Sequence, residues 1–135
     1  VVIPSRITQE LVDLLNKTKL KVVFVFHINH AREISDEFMK NVESLKAHTL
    51  LNQSVLLKGV NDSAKVLSEL SSKLFESNIL PYYVHLLDKV SGADRFLVTD
   101  KRAKEIYKTL QTLLPGYLVP RMVRDEGGYS KRLVL

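Results

Sequence analysis

The sequence predicts an α/β fold in which short parallel strands alternate with helices. Three apolar, β-competent runs begin near residues 22, 53 and 82. Their starts are about 30 residues apart, the length of one βα unit, and right-handed crossovers make such units parallel. Three units are too few to close a barrel of eight. We therefore expect either a small open sheet or part of a larger TIM-like barrel.

The predicted strands cover residues 22–28, 53–57 and 82–87. The first run is β-branched and aromatic throughout, which is typical of a strand buried on both faces. A last extended segment is predicted at 117–123, where Pro120 restricts it to an edge or irregular position. Residues 133–135 could form a short strand or a frayed end. In the third strand, alternation places His85 on the face opposite to Val84.

Side chains suited to N-capping precede three helical patterns, at Thr8, Ser35 and Thr99. A fourth helix follows the joint after the second strand. There, Gly59 tolerates a positive φ, and we expect Asn61 and Asp62 to act as turn and N-cap residues. This joint lies at the carboxyl end of a strand, where parallel α/β proteins bind ligands.

The composition is that of an ordinary soluble protein, with 45% hydrophobic and 26% charged residues. No apolar run approaches the roughly 18 residues of a membrane span. The chain has no cysteine, which excludes disulfides, thiolate zinc sites and cysteine ligands to an iron–sulfur cluster within it. This favours a reducing, cytoplasmic setting. The net charge is +5 and the basic residues are spread along the chain, as on a solvated surface.

The polar residues near the predicted strand ends are the candidates for chemistry. They are His27, Asn29, His30, Gln53, Asn61, Asp62, His85, Asp88, Arg121, Arg124, Asp125 and Lys131. His27 could be a core histidine, and with His30 it could bind a metal, although two ligands without a third make a weak metal site. Asp88 follows an apolar strand and could either cap a turn or bind a cationic group.

Four segments carry a resemblance to a known family. They are FHINH at 26–30 with EI at 33–34, NQSVLLKGVND at 52–62, PYY at 81–83 with Asp88 and Gly92, and GY at 116–117 with VP at 119–120, Asp125, Gly127-Gly128 and Lys131. Together they resemble the C-terminal part of the lysine 2,3-aminomutases. Residues 81–89 are most similar to the branch that makes β-lysine for modification of elongation factor P.

The resemblance implies a radical S-adenosylmethionine isomerase on a partial barrel of six β/α units. Residues 1–116 would then belong to the barrel and 117–135 to a C-terminal segment that carries the pyridoxal phosphate lysine. The implied cofactors are S-adenosylmethionine, pyridoxal phosphate and a four-iron four-sulfur cluster. A 5′-deoxyadenosyl radical would abstract a hydrogen, and the amino group of L-lysine would move from Cα to Cβ; these cofactors carry the hard steps.

The same resemblance implies roles for individual residues. His27 and Gln53 match positions near S-adenosylmethionine and can hydrogen-bond its polar groups. Asp88 and Asp125 match two acids that pair with the side-chain ammonium of lysine, which would offset its desolvation. Lys131 matches the lysine that holds pyridoxal phosphate as an imine. No residue of the chain is assigned as a metal ligand.

The chain also departs from the family pattern. The cysteine loop of the cluster is absent, and Tyr129 and Ser130 replace glycines before Lys131. The first residues, 1–4, look like the tail of an earlier strand, so we expect a fragment that is inactive alone. The unpaired strand edges of a partial barrel favour self-association. The expected partner is lysine, either free or on elongation factor P, with no membrane or nucleic acid. The alternative is a non-catalytic α/β binding module.

Overall fold

A computed structural model describes residues 3–88, 94–125 and 132–133. The strands are β1 (Val23–His27), β2 (Thr49–Leu56), β3 (Leu80–Leu86), β4 (Arg121–Arg124) and β5 (Arg132–Leu133). The helices are α1 (Gln9–Lys17), α2 (Asp36–Glu43), α3 (Ala64–Glu76) and α4 (Asp100–Leu113). One sheet has the order β1-β2-β3-β4-β5, with β1 to β4 parallel and β5 antiparallel to β4. The predicted parallel α/β class is confirmed.

The bounds of all four parallel strands differ from the prediction, and those of β2 and β4 differ most. β2 begins at Thr49, because Thr49 to Leu51 pair with the first residues of β1, so Gln53 lies inside the strand and not at its start. The last parallel strand begins only at Arg121. Gly116–Leu118 form a 3-10 turn instead, and Pro120, which has no N–H to donate, precedes the pairing.

The helices cover one face of the sheet. The strand residues that enter the core are Phe26, Leu50, Leu56, Val84, Leu86 and Met122, which alternate with the residues of the other face. On that other face, Val23 is 53% exposed and Val25 37%. The prediction that the first strand is buried on both faces is therefore wrong. We call the uncovered side the open face.

Helix capping follows the sequence in three places and departs from it in one. The side chains of Thr8, Ser35 and Thr99 cap α1, α2 and α4 as predicted. The cap of α3 is Ser63, whose hydroxyl accepts a hydrogen bond from the Val66 N–H. None of the helices within residues 3–88 and 94–125 combines the length and apolarity needed to cross a membrane.

Candidate active site at the carboxyl edge of the sheet

The carboxyl ends of β1 to β4 meet along one edge, because the four strands are parallel. In parallel α/β proteins this is the edge where ligands bind. Most of the polar residues that the sequence singled out lie at or near this edge. Their hydrogen bonds divide them into residues that hold the backbone and residues whose polar atoms face a cavity or the open face.

Three asparagines, Asn29, Asn52 and Asn61, form what we call the asparagine cluster. The Asn52 side chain accepts from the Ile28 N–H (2.9 Å) and donates to the Ile28 carbonyl (3.0 Å). The Asn29 side chain accepts from the Val55 N–H at 2.8 Å. Because Asn52 and Asn61 are fully buried, these bonds satisfy backbone groups that water does not reach.

Asn61 is the centre of this cluster. Its Oδ1 accepts from the Leu57 N–H at 2.7 Å, and its Nδ2 donates to the carbonyls of Val55 (2.8 Å) and Asn29 (2.9 Å). One side chain thus joins the ends of two strands to the following loop. The prediction that Asn61 caps the next helix is wrong, because its amide is committed to these bonds and Ser63 supplies the cap.

Asp62 closes the turn before α3 and does not cap the helix. Its Oδ1 accepts from the Gly59 N–H at 2.9 Å. Gly59 has a φ of 76°, so its predicted positive φ is confirmed. The side chains of Asn61 and Asp62 therefore both hold the backbone of the joint from 57 to 62.

His30 caps a short 3-10 turn. Its Nδ1 accepts from the Arg32 N–H at 3.1 Å, and the Glu33 carboxylate accepts from the N–H groups of Asn29 and His30. His27 is exposed on the open face, so the core-histidine alternative is wrong. The described residues contain no group of three or more histidine, aspartate or glutamate side chains that could hold a metal ion.

A row of four residues crosses the open face, from the last residue of β1 to the first residue of β4. In the strand register, His27 lies beside Gln53, Gln53 beside Tyr83, and Tyr83 beside Arg121. These positions share one face. The side-chain hydrogen bond with Tyr82, and then burial, raise the pKa of Tyr83 above its ordinary value, while Arg121 acts in the opposite direction. The row offers adjacent donors and acceptors to a polar ligand.

A cavity of about 530 Å³ lies where β3 and β4 end, and we call it the carboxylate cavity. Its polar lining includes Asp88, Thr99, Asp100 and Arg124. The Arg124 guanidinium donates two hydrogen bonds to the Asp100 carboxylate, at 2.5 and 3.4 Å. Asp88 is exposed, and within the described residues it has no hydrogen-bond or ion-pair partner. It therefore does not act as a turn cap there.

Asp125 follows the end of β4, as Asp88 follows the end of the neighbouring β3. One Asp125 oxygen lies 3.5 Å from Nδ1 of His85, whose side chain is only 15% exposed. The His85 ring also makes an edge contact with Tyr83, at 5.7 Å between ring centres. Lys131 and the predicted turn at Gly127-Gly128 lie outside the described residues.

Of the predicted residues, the structure brings His27 and Gln53 side by side, whereas Asp88 lines the carboxylate cavity and Asp125 lies beside His85. The two aspartates follow neighbouring strands. Sequence reasoning missed Asp100 and Tyr83. An aspartate in the first turn of a helix is common, because its charge interacts favourably with the helix dipole. The sequence therefore did not indicate a role for Asp100 in the site. Tyr83 could have been found, because it lies two residues before His85 and so shares its face.

Curated relatives share one name. The chain is 58% identical over 130 residues to an L-lysine 2,3-aminomutase of Haemophilus influenzae, covering 95% of this chain and 38% of the relative. It is 48% identical over 137 residues to the Escherichia coli enzyme of that name, covering 100% and 40%, and 39% identical to that of Clostridium subterminale, covering 100% and 33%. The chain thus spans about two fifths of the length of its first relatives. No family model matches it.

A solved structure shares the fold. It is a crystal structure of a radical SAM methyltransferase from Sphaerobacter thermophilus, which superposes with a TM-score of 0.61. The superposition covers 87% of this chain and 38% of that one, at 16% sequence identity. At that identity the likeness concerns the fold alone. On the strength of its sequence relatives, the chain belongs to the lysine 2,3-aminomutase family.

Proposed function

We propose that the protein carrying this chain is a lysine 2,3-aminomutase, an isomerase that moves the amino group of L-lysine from Cα to Cβ. The observation that carries the proposal is the 58% identity to a relative of that name along nearly the whole chain. We propose further that β1 to β4 are part of a partial TIM-like barrel of six β/α units, with the open face turned to its interior. The similarity in fold to a radical SAM enzyme supports this.

In this proposal, Asp88 and Asp125 bind the side-chain ammonium of lysine. Asp88 is available, because no described residue pairs with it. The described lining of the carboxylate cavity contains two aspartates and one arginine, so its described side chains carry a net charge of one negative unit, which suits a cation. Two carboxylates at neighbouring strand ends would offset the desolvation of an ammonium through charge-assisted hydrogen bonds.

His27 and Gln53 would contact S-adenosylmethionine. They are adjacent in the strand register, on the face that the helices leave uncovered, and their polar atoms suit a ligand rich in donors and acceptors. Lys131 would hold pyridoxal phosphate. The ligands of the four-iron four-sulfur cluster would lie outside this chain, which has no cysteine. When bound, these groups supply the radical and amino-transfer chemistry, and the protein positions the reactants.

The other expectations belong to the same proposal. The substrate would be lysine, free or attached to elongation factor P. The protein would work in the cytoplasm and self-associate through strand edges, which tend to recruit another chain. This chain alone would be inactive, because it lacks the cluster ligands.

The test uses the full-length protein, reconstituted with iron and sulfide and supplied with S-adenosylmethionine and pyridoxal phosphate. We expect β-lysine to form from L-lysine, and borohydride reduction followed by peptide mapping to find the pyridoxyl adduct on Lys131. A Lys131→Ala variant should lose both signals. The matched control is Lys108→Ala, on the exposed side of α4, which should keep them. Absence of β-lysine would overturn the function, and an adduct elsewhere would overturn the role of Lys131.

A further inference from the structure

Arg124 lines the same cavity as Asp88 but is bound to a different carboxylate. Its guanidinium forms two hydrogen bonds with Asp100, the first residue of α4. The side chain of Arg124 is 28% exposed and that of Asp100 is 56% exposed. Arg124 thus lines one cavity with Asp88, which pairs with no described residue, while Asp100 from another element of the fold binds the guanidinium.

This arrangement matters because arginine pairs readily with any carboxylate that it can reach. A guanidinium matches the two oxygens of a carboxylate, and its charge is permanent. If Asp100 did not hold it, Arg124 would be drawn to Asp88, the carboxylate of the same cavity that no described residue pairs with. Such a pair would fill the position that a substrate ammonium needs and would neutralise the charge of Asp88.

We infer that Asp100 is a positioning residue that keeps Arg124 away from Asp88 and so leaves Asp88 open to a cationic side chain. The inference rests on the proposed function, in which Asp88 binds the lysine ammonium. Asp100 acts through Arg124 and makes no contact with the substrate. It therefore influences which charge the cavity accepts, because the Arg124–Asp100 pair is neutral and, among the described residues that line the cavity, Asp88 carries the remaining charge.

The test is a double-mutant cycle in the full-length holoenzyme. We expect Asp100→Asn to raise KM for lysine about tenfold with little change in kcat, as for the loss of one charge-assisted hydrogen bond. The double variant Asp100→Asn/Arg124→Gln should recover most of this loss, because it removes the competing cation. The dissociation constant of lysine, measured by calorimetry, should follow the same pattern. The control is Glu105→Gln, which breaks the surface pair with Arg102 on the same helix.

Two results would overturn the inference: an unchanged KM in Asp100→Asn, or a double variant as impaired as the single one, which would mark a purely structural role. If Asp100→Asn does not fold, Asp100→Ser replaces it, since serine is tolerated at a helix start. Asp88→Asn separates the two levels. If it leaves lysine binding intact, the proposed role of Asp88 fails; if it weakens binding while Asp100→Asn does not, only the role of Asp100 fails.

Discussion

Two polar clusters lie at the same edge of the sheet, and they differ in how their hydrogen bonds are satisfied. The asparagine cluster joins the ends of β1 and β2 and is mostly buried. Its side-chain amides form hydrogen bonds with backbone groups. The carboxylate cavity at the ends of β3 and β4 is half-open and contains an aspartate without a described partner. The side chains of the first cluster form hydrogen bonds with backbone groups. The second contains a carboxylate with which no described residue pairs.

A polar residue at a strand end is therefore not by itself a sign of function. Asn61 and Asp88 both follow the ends of neighbouring parallel strands, Leu56 of β2 and Leu86 of β3. Asn61 replaces hydrogen bonds that water cannot supply in the interior. Asp88 is exposed and pairs with no described residue, which costs little in water and is what the proposed binding of an ammonium requires. Substitutions in the asparagine cluster should therefore lower the stability of the fold. Substitution of Asp88 should weaken ligand binding and leave the stability nearly unchanged.

The largest expected effect on stability is that of Asn61→Leu. The substitution leaves the Leu57 N–H and the carbonyls of Asn29 and Val55 without this partner in the interior. We expect the free energy of unfolding to fall by about 3 kcal/mol or more, since each buried unpaired group costs about 1 to 3 kcal/mol. Urea denaturation of the chain measures it. Asn16→Ala, in an exposed part of α1, is the control and should change stability by at most about 0.5 kcal/mol.

A smaller effect on stability distinguishes Ser63, which caps α3, from Asp62, which the sequence suggested as its cap. Ser63→Ala should lower the free energy of unfolding by about 1 kcal/mol, because the Val66 N–H loses its acceptor. Asp62→Ala should cost less, since its bond to the Gly59 N–H is exposed. An equal or larger loss for Asp62→Ala in the same denaturation experiment would restore the capping role that the sequence suggested.

The smallest effect concerns Tyr83 on the open face. Since its pKa is raised in the folded state, the protonated phenol contributes stability that is fully present below about pH 10, the ordinary tyrosine value. This contribution is lost as the pH rises through the folded pKa. Absorbance titration should show one tyrosine ionising later than the others, and Tyr83→Phe should remove that late step. A variant with an unchanged titration would contradict this.

The sequence predicts the βα order, three of the helix caps and the positive φ of Gly59, because each depends on nearby residues alone. It does not predict that β1 is buried on one face only. A run of apolar residues looks the same whether its second face meets helices or is left uncovered, and that difference lies in the tertiary packing.

The candidate site divides in the same way. The resemblance selects Asp88 and Asp125 as candidates. The structure shows that they follow the ends of two neighbouring strands. The ion pair of Arg124 with Asp100 joins residues that are far apart in sequence, so a local sequence pattern does not predict it. The commitment of Asn61 to three backbone groups is hidden for a different reason, because an asparagine shortly after a glycine is also typical of a simple turn.

The most direct test of the contrast between the two clusters is the behaviour of Asp88→Asn in the full-length protein. We expect the dissociation constant of lysine, measured by calorimetry, to rise at least about tenfold, while the unfolding free energy of the chain changes by less than about 0.5 kcal/mol. Unchanged lysine binding, or a loss of stability comparable to that of Asn61→Leu, would contradict the assignment of the carboxylate cavity as the substrate-binding cluster.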